Sequence, residues 1–207
     1  MSVDELEIRS ATMLVRRILG RVSKVPFLTI ALMTFSVLYF FTLRNPPPNK
    51  FLEWVLSPII HRDEVHIAGN LEGIAIAGCL VELWVARSYR ERCELFLMAY
   101  AISMGMSSAR WRYFGEPSIG LSLCIFLFLA FALYHYCVST QTLRGFQKVA
   151  PVGIGFLFGY LVVQFVSDWL LNGFSQAVNT DWQHFFAVLF GLAAMYLFQY
   201  NKKKQTA

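Results

Sequence analysis

Of the 207 residues, 57% are hydrophobic and only 15% charged, with a mean hydropathy of +0.50 and a formal net charge of +5. That much apolar surface excludes an ordinary soluble domain and predicts a chain that lives in lipid. No basic stripe interleaved with aromatics occurs, so the positive balance reads as membrane topology and contact with anionic lipid headgroups, with no nucleic-acid partner.

Residues 1–25 are polar and hold Arg9, Arg16, Arg17, Arg21 and Lys24. Six mostly apolar runs follow: Pro26–Leu43, Val65–Ala86, Glu94–Met106, Ile119–Ser139, Ala150–Leu171 and Trp182–Tyr200. About 18 such residues cross roughly 30 Å of hydrocarbon, and the third run is short by that measure. No small-residue cleavage site follows the first run, which is therefore expected to stay as an anchor. "NPPPNK", residues 45–50, reads as a stiff turn at the end of that first span.

Six spans leave Arg44, Lys50, Arg62, Arg110 and Arg112 on one side and the other 13 of 18 basic residues on the opposite side. The richer side is expected to be cytoplasmic, with both termini there. The chain thus divides into a cytoplasmic N-terminal segment, 1–25, a six-helix membrane domain, 26–200, and a basic cytoplasmic tail, 201–207. Cys79, Cys124 and Cys137 lie within spans and Cys93 in a turn, without CxxC or Cys/His spacing, which argues against disulfides and structural zinc. No internal repeat or long linker appears, so the domain is one compact all-α bundle.

The second, fourth and sixth spans run inward, and each carries polar side chains near its outer end: His66 and Asn70, then Ser122, then His184. Intramembrane polar groups at one level imply a wet pocket opening outward. A serine hydroxyl needs a base to take its proton, and imidazole is the usual one at neutral pH, which makes Ser122 and His184 a candidate catalytic dyad. His66 and Asn70, four apart on one helical face, can hold an oxyanion, with the Ser122 amide at a helix start as a third donor. Gly120 lets the chain approach closely as it enters the helix.

Phe126, one turn below Ser122, can stack on the His184 ring. His184, Ala187 and Gly191 make a face of small residues that admits a neighbouring helix. His61 and His66, five apart, are poorly spaced as metal ligands, and no metal or other cofactor is implied. Among lesser features, Glu82 could pair with Arg87, Asp168 sits near the outer end of the fifth span, and Gly155 and Gly159 have helix-contact spacing. Glu72 and His135 read as structural or interfacial.

The ordered set "HRDEVHIAGN", "VELWVAR", "GLSL" and "QHFFAVLFG" resembles the rhomboid family of intramembrane serine proteases over about residues 51 to 198. The resemblance covers HxxxN (His66, Asn70), the upstream His61, Glu82, the GxSx motif (Gly120, Ser122), and His184 followed by Ala187 and Gly191. It implies a six-transmembrane-helix rhomboid-like bundle and a Ser122–His184 dyad cleaving transmembrane protein substrates near the outer leaflet. A monomer suffices for that chemistry, and the compact size fits a prokaryotic plasma membrane. Three positions depart from the family's habit: Leu123 follows the serine where glycine is common, Phe126 stands for a frequent tyrosine, and Trp54 lacks an adjacent arginine. Leu123 keeps alive an alternative, a catalytically silent rhomboid-like protein that binds client helices. A transporter would instead place polar groups at several depths and show repeats.

Overall fold

The computed structural model describes residues 25–43, 49–61, 63–114, 120–138 and 174–206, with isolated helical positions at 155, 159, 162, 163, 166 and 170. Among them every regular element is helical. The first helix, α1 (Phe27–Leu43), begins directly after Pro26, whose fixed φ suits a helix start. A short α2 (Lys50–Leu56) follows the proline run. Asn49 caps it, its side chain accepting from the Phe51 amide at 2.8 Å, in place of a missing intrahelical partner. α3 (Glu64–Leu80) is capped in the same way by Asp63. There the carboxylate accepts from the His66 amide at 2.8 Å. α3 continues without a break into one π-helical stretch, Val81–Val85, and stops where Ala86 turns extended.

The remaining helices are α4 (Tyr89–Phe114), α5 (Ser122–Val138) and α6 (Phe174–Thr206). At about 1.5 Å per residue, α6 alone is roughly 50 Å long. Ser88 opens α4 by accepting from the Glu91 amide at 3.2 Å, while Glu91 accepts from the Arg87 amide at 2.8 Å. This is close to the reciprocal pattern of a capping box.

α5 lies at the centre. Leu123 to Ala132 are ten consecutive buried residues, so this helix is apolar and covered on every side. It packs most extensively on α6 and next on α3, with α1 on the far side of α3. Small residues set these approaches. A Cβ added at Gly191 would sit 2.6 Å from the Ala130 Cβ, one at Gly73 would meet the Ile125 side chain at 2.7 Å, and one at Gly78 would meet Thr29. Backbones can come this close only where a side chain is missing, and such contacts are what join helices in lipid, where apolar burial offers no drive.

Several sequence expectations are revised. The third span, read as Glu94–Met106, is the middle of a 26-residue helix whose charged ends extend it both ways. The sixth, read as Trp182–Tyr200, lies within a 33-residue helix. The fourth apolar run, read as Ile119–Ser139, is helical only over Ser122–Val138, and that helix starts at Ser122 as expected, with Gly120 and Leu121 outside it. α2 was not foreseen. The expected fifth span, Ala150–Leu171, lies outside the described residues except for the isolated positions, and Asp168 lies outside them too. Nothing comes within 4 Å of a Cβ built on Gly155 or Gly159, so no helix contact is seen at that pair among the described residues.

Among the described residues one helical unit, Glu64–Val85 with 22 residues, is long and apolar enough to cross a membrane. α1 and α5 are apolar but 17 residues long, just under the usual requirement of about 18.

Glu82 is also placed differently from the expectation that it pairs with Arg87. Fully buried in the π-helical stretch, its carboxylate accepts from the Leu28 amide at 3.1 Å and from the Thr29 amide and hydroxyl at 2.7 Å each. It caps the start of α1, where amide donors lack intrahelical partners and negative charge is favoured.

Candidate functional site

The chain reaches Ser122 through a fixed turn. Gly120 has φ +98°, and its amide donates to the Ser57 carbonyl at 2.9 Å. Side chains rarely adopt that backbone conformation, which glycine takes freely. Ser57, fully buried, closes the end of α2 by donating its hydroxyl to the Trp54 carbonyl at 2.9 Å. α2 is in turn tied to α4, since Trp54 Nε1 donates to the Met104 carbonyl at 2.9 Å and the Tyr100 hydroxyl to the Val55 carbonyl at 2.7 Å. Ser122 thus starts α5 from an anchored point. As the first helical residue, its amide has no acceptor within the helix.

His66 and Asn70, one turn apart on α3, both lie against Gly120. A Cβ at Gly120 would fall 2.7 Å from Asn70 Nδ2, 2.8 Å from His66 Nε2 and 2.9 Å from His66 Cε1. Glycine is therefore required twice over, by its φ and by the space. Asn70 is buried, and among the described residues its Nδ2 has no hydrogen-bond partner. A buried amide donor left unmatched is costly, which suits a group reserved for a ligand.

His61 extends this cluster, its ring 5.2 Å from that of His66. It is buried, and Nδ1 lies 2.9 Å from the Ile59 carbonyl. A carbonyl only accepts, so Nδ1 carries the proton in the neutral ring and Nε2 is bare. Nε2 is buried with no partner among the described residues. Burial, first, and the neighbouring His66 outweigh the help of the Ile59 carbonyl and Asp63, pulling the His61 pKa down to about 4.

His184 is buried on α6, its ring centroid 4.6 Å from that of Phe126 at 51°. Phe126 is four residues after Ser122 on α5, so the ring that His184 packs on lies one turn from the serine, on the same helical face. Ala187, fully buried, and Gly191 carry the same face of α6 onto α5, where the Gly191 approach to Ala130 and Leu127 keeps the helices close. Leu123, next to the serine, is 1% exposed and belongs to the core of the bundle. Its bulk points into the packing and away from solvent.

The fold therefore gathers Gly120, His66, Asn70 and His61 beside the start of α5 and sets His184 against Phe126. Ser57 and Asp63, which hold the turn and the α3 start, were missed from the sequence. Asp63, directly ahead of an apolar helical run, was readable as a cap. The Ser57 carbonyl contact, far away in sequence, carried no local signal. Among the described residues no group of three or more His, Cys, Asp or Glu side chains is arranged so as to hold a metal ion.

The family model of the Rhomboid domain matches residues 48–201, a stretch that contains every residue named for this site. No curated protein and no solved structure matches the chain.

Proposed function

The chain belongs to the rhomboid family, and from that premise we propose that it is an intramembrane serine endopeptidase in which Ser122 is the nucleophile and His184 its base. The family is membrane-embedded and consists mostly of intramembrane serine proteases. The observation that carries the reading is the juxtaposition at Gly120: the Asn70 amide and the His66 ring meet the backbone just ahead of a serine that is the first residue of its helix, where an amide has no intrahelical acceptor.

A transmembrane substrate enters between the helices and unwinds locally, because a hydrogen-bonded helix shields its carbonyls. Ser122 Oγ attacks the exposed carbonyl carbon while His184 takes the hydroxyl proton. Charge that develops on the carbonyl oxygen is met by the Ser122 N–H, Asn70 Nδ2 and His66 Nε2, donors positioned beforehand and so effective without reorganisation. His184 returns the proton to the leaving amine. Water from the outer face then hydrolyses the acyl-enzyme by the same steps in reverse. Phe126 keeps the imidazole from turning away, a role for which no third acid is needed. None of these steps draws on a cofactor or metal, and one subunit supplies every group. In this reading Ser122 lies near the outer leaflet of a prokaryotic plasma membrane, with both termini cytoplasmic.

Fluorophosphonate labelling of the purified protein, together with cleavage of a transmembrane test substrate, tests the proposal. Both signals are expected in the parent chain and absent from Ser122→Ala and His184→Ala variants that still insert and fold. Unchanged cleavage by Ser122→Ala would overturn the mechanism. A parent chain that neither labels nor cuts, yet retains substrate helices, would instead be a silent client-binding member of the family.

A further inference from the structure

A second polar site lies at the other end of the bundle. Ser122 opens α5 and His135 stands near its close, while Lys202 stands well beyond His184 on α6. Along the helix axes these separations are roughly 20 Å on α5 and roughly 27 Å on α6. Between these helix ends and the start of α4 is a pocket of about 150 Å³, lined by Arg87, Glu91, His135, Phe198, Gln199 and Lys202 among others. It is separate from the serine cluster and takes no part in the chemistry proposed there.

We infer that this pocket binds a phosphate group, presented by an anionic lipid headgroup or by free phosphate. Its lining offers the guanidinium of Arg87, the ammonium of Lys202, the Gln199 amide and the His135 ring against the one carboxylate of Glu91. Both oxygens of that carboxylate are already engaged. Oε2 accepts from the Arg87 amide at 2.8 Å and Oε1 from Lys202 Nζ. Burial works to raise the Glu91 pKa, but the Lys202 and Arg87 amide hydrogen bonds outweigh it and hold the group ionised.

Lys202 is held in place by this pair and by the Phe198 ring, 5.1 Å below its Nζ, and an ammonium has three donors to share. Arg87 is exposed at the rim, and among the described residues its guanidinium bonds to no acceptor. An arginine fork with a lysine beside it matches phosphate oxygens better than a carboxylate alone would require. A basic pocket between helix ends at a membrane surface is where lipid headgroups are recognised. Leu95, Met195 and Phe198 add apolar surface to the lining, which suits the non-polar part of such a lipid.

The test titrates the purified protein in neutral detergent with phosphatidylglycerol, using phosphatidylcholine as the control, and reads binding by native mass spectrometry and by the rise in Tm. Phosphatidylglycerol is expected to bind selectively. Arg87→Gln, which breaks no side-chain hydrogen bond among the described residues, should weaken it roughly fivefold or more, in line with about 1 kcal/mol per basic residue at a membrane surface. Glu91→Gln removes the opposing charge and should tighten binding several-fold even though it loosens the α4 cap. Inorganic phosphate then distinguishes the sources. Competition assigns the pocket to the phosphate itself, and no competition assigns it to the lipid headgroup, both consistent with the site. Identical affinities for the parent chain, Arg87→Gln and Glu91→Gln would overturn the inference. Because binding alone is read, the result is independent of whether Ser122 cleaves anything.

Discussion

Replacing Gly120 by alanine perturbs the proposed site without deleting any of its polar groups. The new methyl carbon would be held at φ +98°, at a cost of about 1–3 kcal/mol for a residue forced into sparsely populated backbone space. It would also lie 2.7 to 2.9 Å from Asn70 Nδ2 and two atoms of the His66 ring, where ordinary contact begins near 3.4 Å. Both side chains must therefore retreat by a good fraction of an ångström, or the turn must shift and carry Ser122 with it. A misplacement of about 1 Å costs on the order of 100-fold in rate when reacting groups are aligned in advance. The expected outcome is a Tm lowered by roughly 4–8 °C, from about 2 kcal/mol in a chain of this size, with cleavage and fluorophosphonate labelling slowed by one to two orders of magnitude. Thermal unfolding in detergent and labelling kinetics measure the two effects separately. Gly69→Ala is the control, since it sits on the same helix as the His66 and Asn70 pair and a Cβ there meets nothing within 4 Å. If Gly120→Ala labels as fast as Gly69→Ala, the crowding at Gly120 does not position the reacting groups and the reasoning fails.

Gly191→Ala would bring its added carbon to 2.6 Å from the Ala130 Cβ and 3.2 Å from the Leu127 carbonyl, and should destabilise by roughly 1–3 kcal/mol. Ala130→Gly should restore part of the loss, and strictly additive Tm changes in that double-mutant cycle would contradict the contact. Glu82→Gln removes a buried charge-assisted cap with three donors. It should cost roughly 2–4 kcal/mol, with faster amide exchange at Leu28 and Thr29 as its local signature. Leu123→Gly, the change toward the commoner residue after the serine, should lower Tm without raising activity, since it empties a fully packed core position. His61 gives a pH dependence of definite sign. Its folded-state pKa, about 4, lies below the ordinary 6.5, so the unfolded chain takes up more protons between these values. Its contribution to stability is complete above about pH 6.5 and is lost as pH falls toward 4. His61→Gln should flatten the Tm profile over that window, and an unchanged profile would remove His61 as its source.

What the sequence made legible, and what it did not, follows from the range of the interactions involved. α1 and α3 coincide closely with their apolar runs because such runs end where polar residues begin. α4 did not, since Arg90, Glu91 and Arg92 at one end and Arg110 and Arg112 at the other are good helix residues that carry no apolar signal. The start of α5 at Ser122 was legible because Gly120 marks a close turn ahead of it, whereas the apolar run, which begins at Ile119, does not report where φ leaves helical space. Glu82 was matched to Arg87 as the nearest cation, whereas its partners Leu28 and Thr29 lie on another helix, far back along the chain. The serine, the histidines and the asparagine stood out because polar side chains are rare in these spans. The turn that holds them was invisible because it runs through backbone atoms.

That contrast bears on how a polar cluster can be held firmly at the edge of a bundle. Helices in lipid gain little from burying apolar side chains against one another, so rigidity has to come from close backbone approach and satisfied hydrogen bonds. Both occur here where they act on the cluster. Glycine contacts draw α3 and α6 onto α5, and the tie from Gly120 to Ser57 passes through α2 to α4 by way of Trp54 and Tyr100. The start of α5 is thus referenced to α2, α3, α4 and α6, in part through main-chain atoms that a side-chain substitution leaves in place. Substitutions of polar side chains at the cluster should accordingly remove chemistry while sparing the fold, whereas adding a single carbon at Gly73, Gly120 or Gly191 should disturb both.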